Sequence, residues 1–333
     1  MENIKEIGQF LEFLEFSKGC SKITVRDYRE HLKKFIKIMD IKSFEDIKNM
    51  KVQDIDQFMF RLAERGNVPS TRNAILSCLR SFYDFLRKRD MVETNVAKGV
   101  ECAKMPQVIK NIPTEEEFRA ILEYMHDNCP VKYYTMALLL VDTGLRFSEM
   151  TNLKLKDLDS LADSSFIIIK GKGNKQRRVY ISEELKAQLR KYVLFYRRVP
   201  DILTEEQFKQ NRLTYGTIKD YKTYLAQREK YKDYVFISIY GFKIDNTNFN
   251  RSLQNAANKA GVSTALKDIS AHSLRHFFAT YALDKDVRID ALAEMLGHAS
   301  ISTTQRYIHR SEETMIKEGM KTFNFAPSKG GEN

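Results

Sequence analysis

Apolar residues recur at helical spacing through the first hundred positions. Ile4, Ile7, Leu11 and Leu14 share one helical face, with Phe10 alongside. Thr24, with Asp27 three residues on, predicts the N-cap of a second helix carrying Tyr28, Leu32, Phe35 and Ile36. A third helix is predicted over 52–62. A fourth starts after Pro69-Ser70 and carries Ile75, Leu79, Phe82 and Leu86, with Arg72, Arg80, Arg87 and Lys88 on its polar face. Residues 97–113 lose this periodicity, and Pro106 and Pro113 bracket the end of the stretch. It reads as a linker between an N-terminal helical domain, 1–96, and a second domain, 114–333.

Helix restarts at Thr114-Glu115-Glu116-Glu117, a capping box. The β-prone run 166–169, the turn 171–174 and the run 178–181 predict a hairpin. Residues 196–233, rich in Tyr, Lys, Arg and Gln, show no core pattern and read as an excursion of short helix and loop. From about Ser270 a helix is expected with Leu274, Phe277, Phe278, Tyr281 and Ala282 on its apolar stripe. His272 and Arg275 then project together from the other face. Leu292, Met295 and Leu296 close a further helix that Gly297 terminates, and Ser302 with Gln305 caps a last short helix carrying Tyr307. The fold class is therefore mainly α with a small antiparallel β-sheet, in two domains, without internal repeats.

Composition fits a folded, soluble protein. Of 333 residues, 43% are hydrophobic and 30% charged, with only 14 Gly and 6 Pro. The formal net charge of +11 favours a polyanionic partner, most simply nucleic acid, although a merely lysine-rich protein would look the same. Cys20, Cys78, Cys102 and Cys129 form no CxxC pair, which argues against a zinc site or a disulfide framework. The N-terminus lacks a signal-peptide pattern, and no apolar run approaches the roughly 20 residues of a membrane helix. A cytoplasmic, nucleoid-associated protein with no membrane partner is expected.

Chemistry concentrates in three places. Arg146 follows the break Thr143-Gly144, with Glu149 one helical turn later to brace it or a neighbouring cation. Lys172 sits in the glycine-flanked hairpin turn, with Lys175 as a second candidate. The spacing of a phosphate-binding P-loop is absent there, so a mobile lysine finger is the better reading. His272, Arg275, His298 and Tyr307 crowd near the C-terminus. Four of the six histidines (His272, His276, His298, His309) fall in that stretch. Taken singly, each has a bland explanation: a surface ion pair, a core histidine, a packed tyrosine. Taken together they suit a phosphodiester. Two arginines neutralise nonbridging oxygens, a histidine accepts the phenolic proton, a lysine protonates the leaving oxygen, and a tyrosine attacks. No carboxylate cluster suited to Mg²⁺ accompanies them, so metal-free chemistry without a cofactor is expected.

In this order, Arg146, Lys172, His272-Ser273-Leu274-Arg275, Leu296-Gly297-His298 and Tyr307 resemble the active site of tyrosine recombinases, the phage-integrase family. The resemblance covers essentially the whole chain. It implies a two-domain DNA clamp, with a helical core-binding (SAM-like) domain and a catalytic domain ending in a C-terminal tail. Arg146 and Arg275 would hold the scissile phosphate, Lys172 would be the general acid, and His272 would assist proton transfer. His298 would hydrogen-bond the phosphate, and Tyr307 would form a 3′-phosphotyrosyl link, with Glu149 in support. Arg72, Arg80, Arg87, Lys88 and Lys175 would touch DNA. The resemblance also implies double-stranded DNA as partner, a homo-tetramer on synapsed sites, a Holliday junction, and accessory factors in some settings. The apolar residues Met315, Ile316, Met320 and Phe323 would dock on a neighbouring protomer. The layout is expected to lack the arm-binding domain of lambda-type integrases. It is closer to Xer recombinases and compact transposon integrases, and the turn Gly171-Lys172-Gly173-Asn174-Lys175 is especially Xer-like. The role implied is integration or excision of a mobile element, or dimer resolution. A type IB topoisomerase-like enzyme and a catalytically silent DNA-binding protein are the alternatives.

Overall fold

A computed structural model describes residues 4–105, 113–171, 176–210, 218, 220–262 and 269–297. The chain forms two compact units, Met1–Ile109 and Lys110–Asn333.

The first unit is helical: α1 (Lys5–Glu12, continued by one wider turn, Phe13–Ser17), α2 (Lys22–Met39), α3 (Phe44–Lys48), α4 (Val52–Glu64) and α5 (Pro69–Arg87). Each amphipathic stripe turns inward, so Phe10, Phe35, Phe58 and Phe82 are fully buried. Their rings meet at centroid distances of 5.2 Å (Phe10–Phe82) and 5.0 Å (Phe35–Phe58). α2 starts earlier than the pattern suggests. Ser21, not Thr24, is the cap, its Oγ accepting from Thr24 N at 3.1 Å. α3 escapes periodicity because five residues hold little more than one turn. It forms on the Ser43–Asp46 capping box. Pro69 occupies the first position of α5, where its missing N–H costs nothing.

The segment expected as linker begins inside this unit. Ala97 and Val100 are buried in its core. The Arg80 guanidinium donates to Ala97 O (3.1 Å) and Val100 O (2.6 Å), and Asn73 exchanges two hydrogen bonds with Ala103 (2.8 and 2.9 Å). Side chains of α5 thus satisfy the backbone of an aperiodic strap, a device that hydrophobic periodicity does not register.

The second unit contains α6 (Glu115–Asn128), α7 (Val131–Thr143), α8 (Phe147–Met150), a 3₁₀ turn (Leu155–Ala162), strands β1 (Phe166–Lys170) and β2 (Gln176–Tyr180), α9 (Glu183–Lys191), α10 (Glu205–Gln210), α11 (Tyr221–Tyr231), α12 (Asn246–Lys259), α13 (Ala271–Asp284) and α14 (Ile289–Leu296). Thr114 and Glu117 close the expected capping box on α6. The strands pair antiparallel, with Phe166 opposite Tyr180 and Ile169 opposite Arg177. One face buries Ile167, Ile169 and Val179, while Phe166, Ile168 and Tyr180 are exposed. α7 is apolar nearly all round and runs through the core. Met136, Leu139 and Leu140 pack there with Phe249, Leu253 and Leu274. The fold is mainly α with one small antiparallel sheet, as expected. Among the described residues no helix is long and apolar enough to cross a membrane.

The described residues of the 196–233 stretch (196–210, 218 and 220–233) hold more structure than the sequence suggests. Phe208, Ile218 and Tyr224 form a small core of their own, flanked by Leu203, Tyr221 and Phe242. Two arginines clasp its base. Arg197 donates to the carbonyls of Lys232 and Tyr234, and buried Arg228 to those of Pro200 and Tyr240. Gly241 leaves room for Arg228, since a β-carbon there would lie 1.7 Å from Nη1. Aromatic side chains spaced as tyrosines among charges hid this core from a search for aliphatic stripes.

Candidate active site

The site begins where α7 stops. Gly144 adopts φ 61°, the left-handed conformation that ends a helix, and Leu145 is buried behind it. A β-carbon on Gly144 would sit 2.4 Å from Phe278 Cδ1, so both the dihedral and the packing require glycine. The reversal places Arg146 at the N-cap of the one-turn helix α8. Glu149 then folds back, accepting from Arg146 N at 2.9 Å and from Arg146 Nη1 at 2.9 Å. Arg146 remains 41% exposed, and among the described residues its Nε and Nη2 make no hydrogen bond.

Glu149, by contrast, is 5% exposed. Its second cation is Arg177 on β2, the neighbouring cation that the sequence left unnamed. Arg177 Nη1 donates to Oε1 (3.0 Å), Nη2 to Oε2 (2.8 Å), and Nε to Met295 O (2.9 Å). Burial alone would raise the Glu149 pKa. Hydrogen bonds from Arg177 and from the Arg146 backbone, with the Arg177 charge, outweigh it and bring the carboxyl down to about 2. A sequence signal for Arg177 did exist. It occupies the position opposite Ile169, the face parity of Val179, where an apolar residue is the rule.

Arg275 lies elsewhere than expected. Rather than sharing an outward face with His272, it is 3% exposed, while His272, in the first turn of α13, is exposed. Arg275 Nη1 donates to Gly144 O (2.6 Å) and Nη2 to Leu296 O (2.8 Å). Both carbonyls end helices stopped by left-handed glycines, Gly144 for α7 and Gly297 (φ 64°) for α14. Two negative helix ends converge on one guanidinium, which makes a buried cation tolerable. Arg177 and Arg275 thus hold adjacent carbonyls, Met295 and Leu296, of the same helix end, and His298 is the next residue after Gly297.

The structure therefore brings Arg146, Glu149, Arg177, Arg275 and the end of α14 into one hydrogen-bonded cluster. Lys172 and Lys175, between β1 and β2 in the chain, lie outside the described residues. So do His298, His309, Tyr307, its Ser302–Gln305 cap, and Met315, Ile316, Met320 and Phe323. The expected DNA-contacting residues on α5 do not form one open face. Arg87 and Lys88 are exposed and Arg72 is half-buried. Arg80 is an internal brace, its guanidinium held by the backbone of the strap and by Cys102 Sγ at 3.5 Å.

Comparison with known proteins gives a consistent result. Residues 112–314 match the phage integrase family, and residues 7–90 match the phage integrase N-terminal SAM-like domain. The tyrosine recombinase XerD of Oceanobacillus iheyensis is 28% identical, over 91% of this chain and 93% of its own length. The tyrosine recombinase XerC of Bacillus pumilus is also 28% identical, over 93% of each. Among solved structures, the Tn1549 transposon integrase superposes with a TM-score of 0.68 at 20% identity, covering 94% of this chain and 98% of the integrase. The XerH site-specific recombinase superposes with 0.64 at 20% identity, covering 95% and 84%. These structures share the fold. With the catalytic match spanning well over half its length, the chain belongs to the phage integrase family, the tyrosine recombinases.

Proposed function

We propose that this tyrosine recombinase cuts and rejoins duplex DNA at specific sites, with Tyr307 as nucleophile. The observation that carries the reading is the junction of two helix ends at Gly144 and Leu296. Arg275 is locked there, and Arg146, two residues beyond Gly144, keeps a half-exposed guanidinium. A pair of pre-positioned cations, one fixed and one accessible, suits the nonbridging oxygens of a phosphodiester as charge builds on them. DNA as the partner is supported by the solved relatives: the Tn1549 integrase is in complex with circular intermediate DNA and XerH is bound to its difH substrate.

In this reading Tyr307 Oη attacks the scissile phosphorus and the bond to the 5′ oxygen breaks. His272 takes the phenolic proton, and Lys172, or Lys175 from the same turn, protonates the departing 5′ oxygen. His298 hydrogen-bonds the phosphate. The 3′-phosphotyrosyl bond retains the energy of the broken diester, so attack by the 5′ hydroxyl of a second strand restores it without ATP. Two such exchanges on paired sites pass through a Holliday junction, in a tetramer on DNA, for integration or excision of a mobile element or for dimer resolution. The site of action is the nucleoid.

A plasmid carrying two candidate sites separates this reading from a topoisomerase-like one. Recombination yields products with exchanged flanks. Relaxation of a supercoiled plasmid carrying a single site, without exchange on the two-site plasmid, would contradict it.

A further inference from the structure

Arg177 belongs to neither the tyrosine chemistry nor the phosphate clamp as described, yet it is 10% exposed and places three N–H groups on the cluster. We infer that Arg177 is a positioning residue that takes up the charge of Glu149, so that Arg146 keeps its own charge for the scissile phosphate. The inference rests on the recombinase reading above.

The geometry divides the labour. Glu149 accepts four hydrogen bonds. Oε1 takes one from Arg146 Nη1 and one from Arg177 Nη1, and Oε2 takes Arg177 Nη2 and the Arg146 backbone N–H. Arg177 grips the carboxylate with both prongs of its fork, the stronger arrangement, whereas the Arg146 guanidinium gives it a single N–H. Glu149 is needed where it stands, because its bond to Arg146 N closes α8 and sets the direction of the Arg146 side chain. A buried carboxylate with Arg146 as its sole countercharge would draw that guanidinium into a closed pair of zero net charge. With Arg177 present, two cations face one anion and the triad carries a net +1, expressed at the exposed member. Arg177 also packs over the end of α14. Its Nη1 lies 3.0 Å from where a β-carbon on Gly297 would be, and its Nε holds Met295 O. Charge compensation and tethering are thus two separable roles.

The test is the rate of covalent adduct formation by the full-length protein on nicked duplex DNA from its genomic neighbourhood. It compares wild type with Arg177→Met, Arg177→Lys, Glu149→Gln and the double variant Glu149→Gln/Arg177→Met. Loss of one charge-stabilising group at such a site costs on the order of tenfold or more in rate, and Arg177→Met is expected to fall by that much with DNA affinity near wild type. Arg177→Lys, which keeps the charge, stays nearer wild type. The double variant, which has no carboxylate left to neutralise Arg146, recovers much of the loss. A double variant no faster than Arg177→Met, or Arg177→Lys as slow as Arg177→Met, overturns the inference and leaves Arg177 as a tether only. Absence of any Tyr307-dependent adduct in wild type would instead defeat the recombinase reading. In that case acid unfolding still tests the charge coupling. Arg177→Met is expected to unfold at a higher pH than wild type, with the difference abolished in the Glu149→Gln background, and an unshifted acid transition overturns the coupling.

Discussion

Gly144 stands at φ 61° with Phe278 Cδ1 2.4 Å from the place a β-carbon would take, and its carbonyl receives the buried Arg275. Gly144→Ala would meet strain of roughly 1–2 kcal/mol from the left-handed backbone. Overpacking adds about 1–3 kcal/mol. Urea denaturation should show a loss of at least about 2 kcal/mol, and a variant of wild-type stability would show that α7 can end in another way. Glu149 contributes stability on the acid side. Its carboxyl is near 4.5 unfolded and about 2 folded, so its stabilisation is complete above 4.5 and lost as pH falls through 2. The shift is worth on the order of 3 kcal/mol. Glu149→Gln should therefore flatten the stability profile between those pH values, and a profile of unchanged steepness would assign the acid loss to other groups. At this scale the sequence was legible where chemistry follows chain order: Arg146 next to a helix break, Glu149 one turn on, Gly297 as a stop. It was illegible where partners come from afar. Arg275 is buried because two helix ends separated by some 150 residues of chain meet on it, and Arg177 meets Glu149 across 28 positions.

Whole elements followed from periodicity when they were long, and the hairpin from two β-prone runs around a glycine-rich turn. The stripes of α2, α4 and α5 and the run–turn–run pattern of the hairpin needed no tertiary information. Elements held by side-chain-to-backbone bonds did not show themselves. α3 rests on Ser43 and Asp46, the strap 97–103 on Arg80 and Asn73, and the excursion 196–233 on Arg197 and Arg228. The excursion gives a direct check. Arg228→Met leaves the carbonyls of Pro200 and Tyr240 without their buried donor, at about 1–3 kcal/mol for each unsatisfied group. The excursion's small core cannot absorb that loss, whereas the main core of the second unit does not depend on it. Limited proteolysis should cut this variant within 196–240 faster than wild type, with the remaining fragments resistant. Equal cleavage rates would mean that Phe208, Ile218 and Tyr224 hold the excursion by packing alone.

On the scale of the molecule, two units each close their own core, Ile4 to Val100 in one and Phe118 to Phe277 in the other. The net charge of +11 gives the chain a long-range pull toward a polyanion without selecting a sequence in it. Site choice and chemistry then fall to short-range contacts, and the proposed chemistry has one distinctive mark, a transient bond between protein and DNA that a nicked substrate traps. The most direct measurement is therefore covalent trapping. Full-length protein is incubated with nicked duplex fragments spanning its genomic neighbourhood, and wild type is compared with Tyr307→Phe. The account predicts a denaturant-resistant protein–DNA adduct in wild type and none in Tyr307→Phe, with both proteins binding the same fragment. An adduct that persists in Tyr307→Phe, or firm binding without any adduct in wild type, would contradict it.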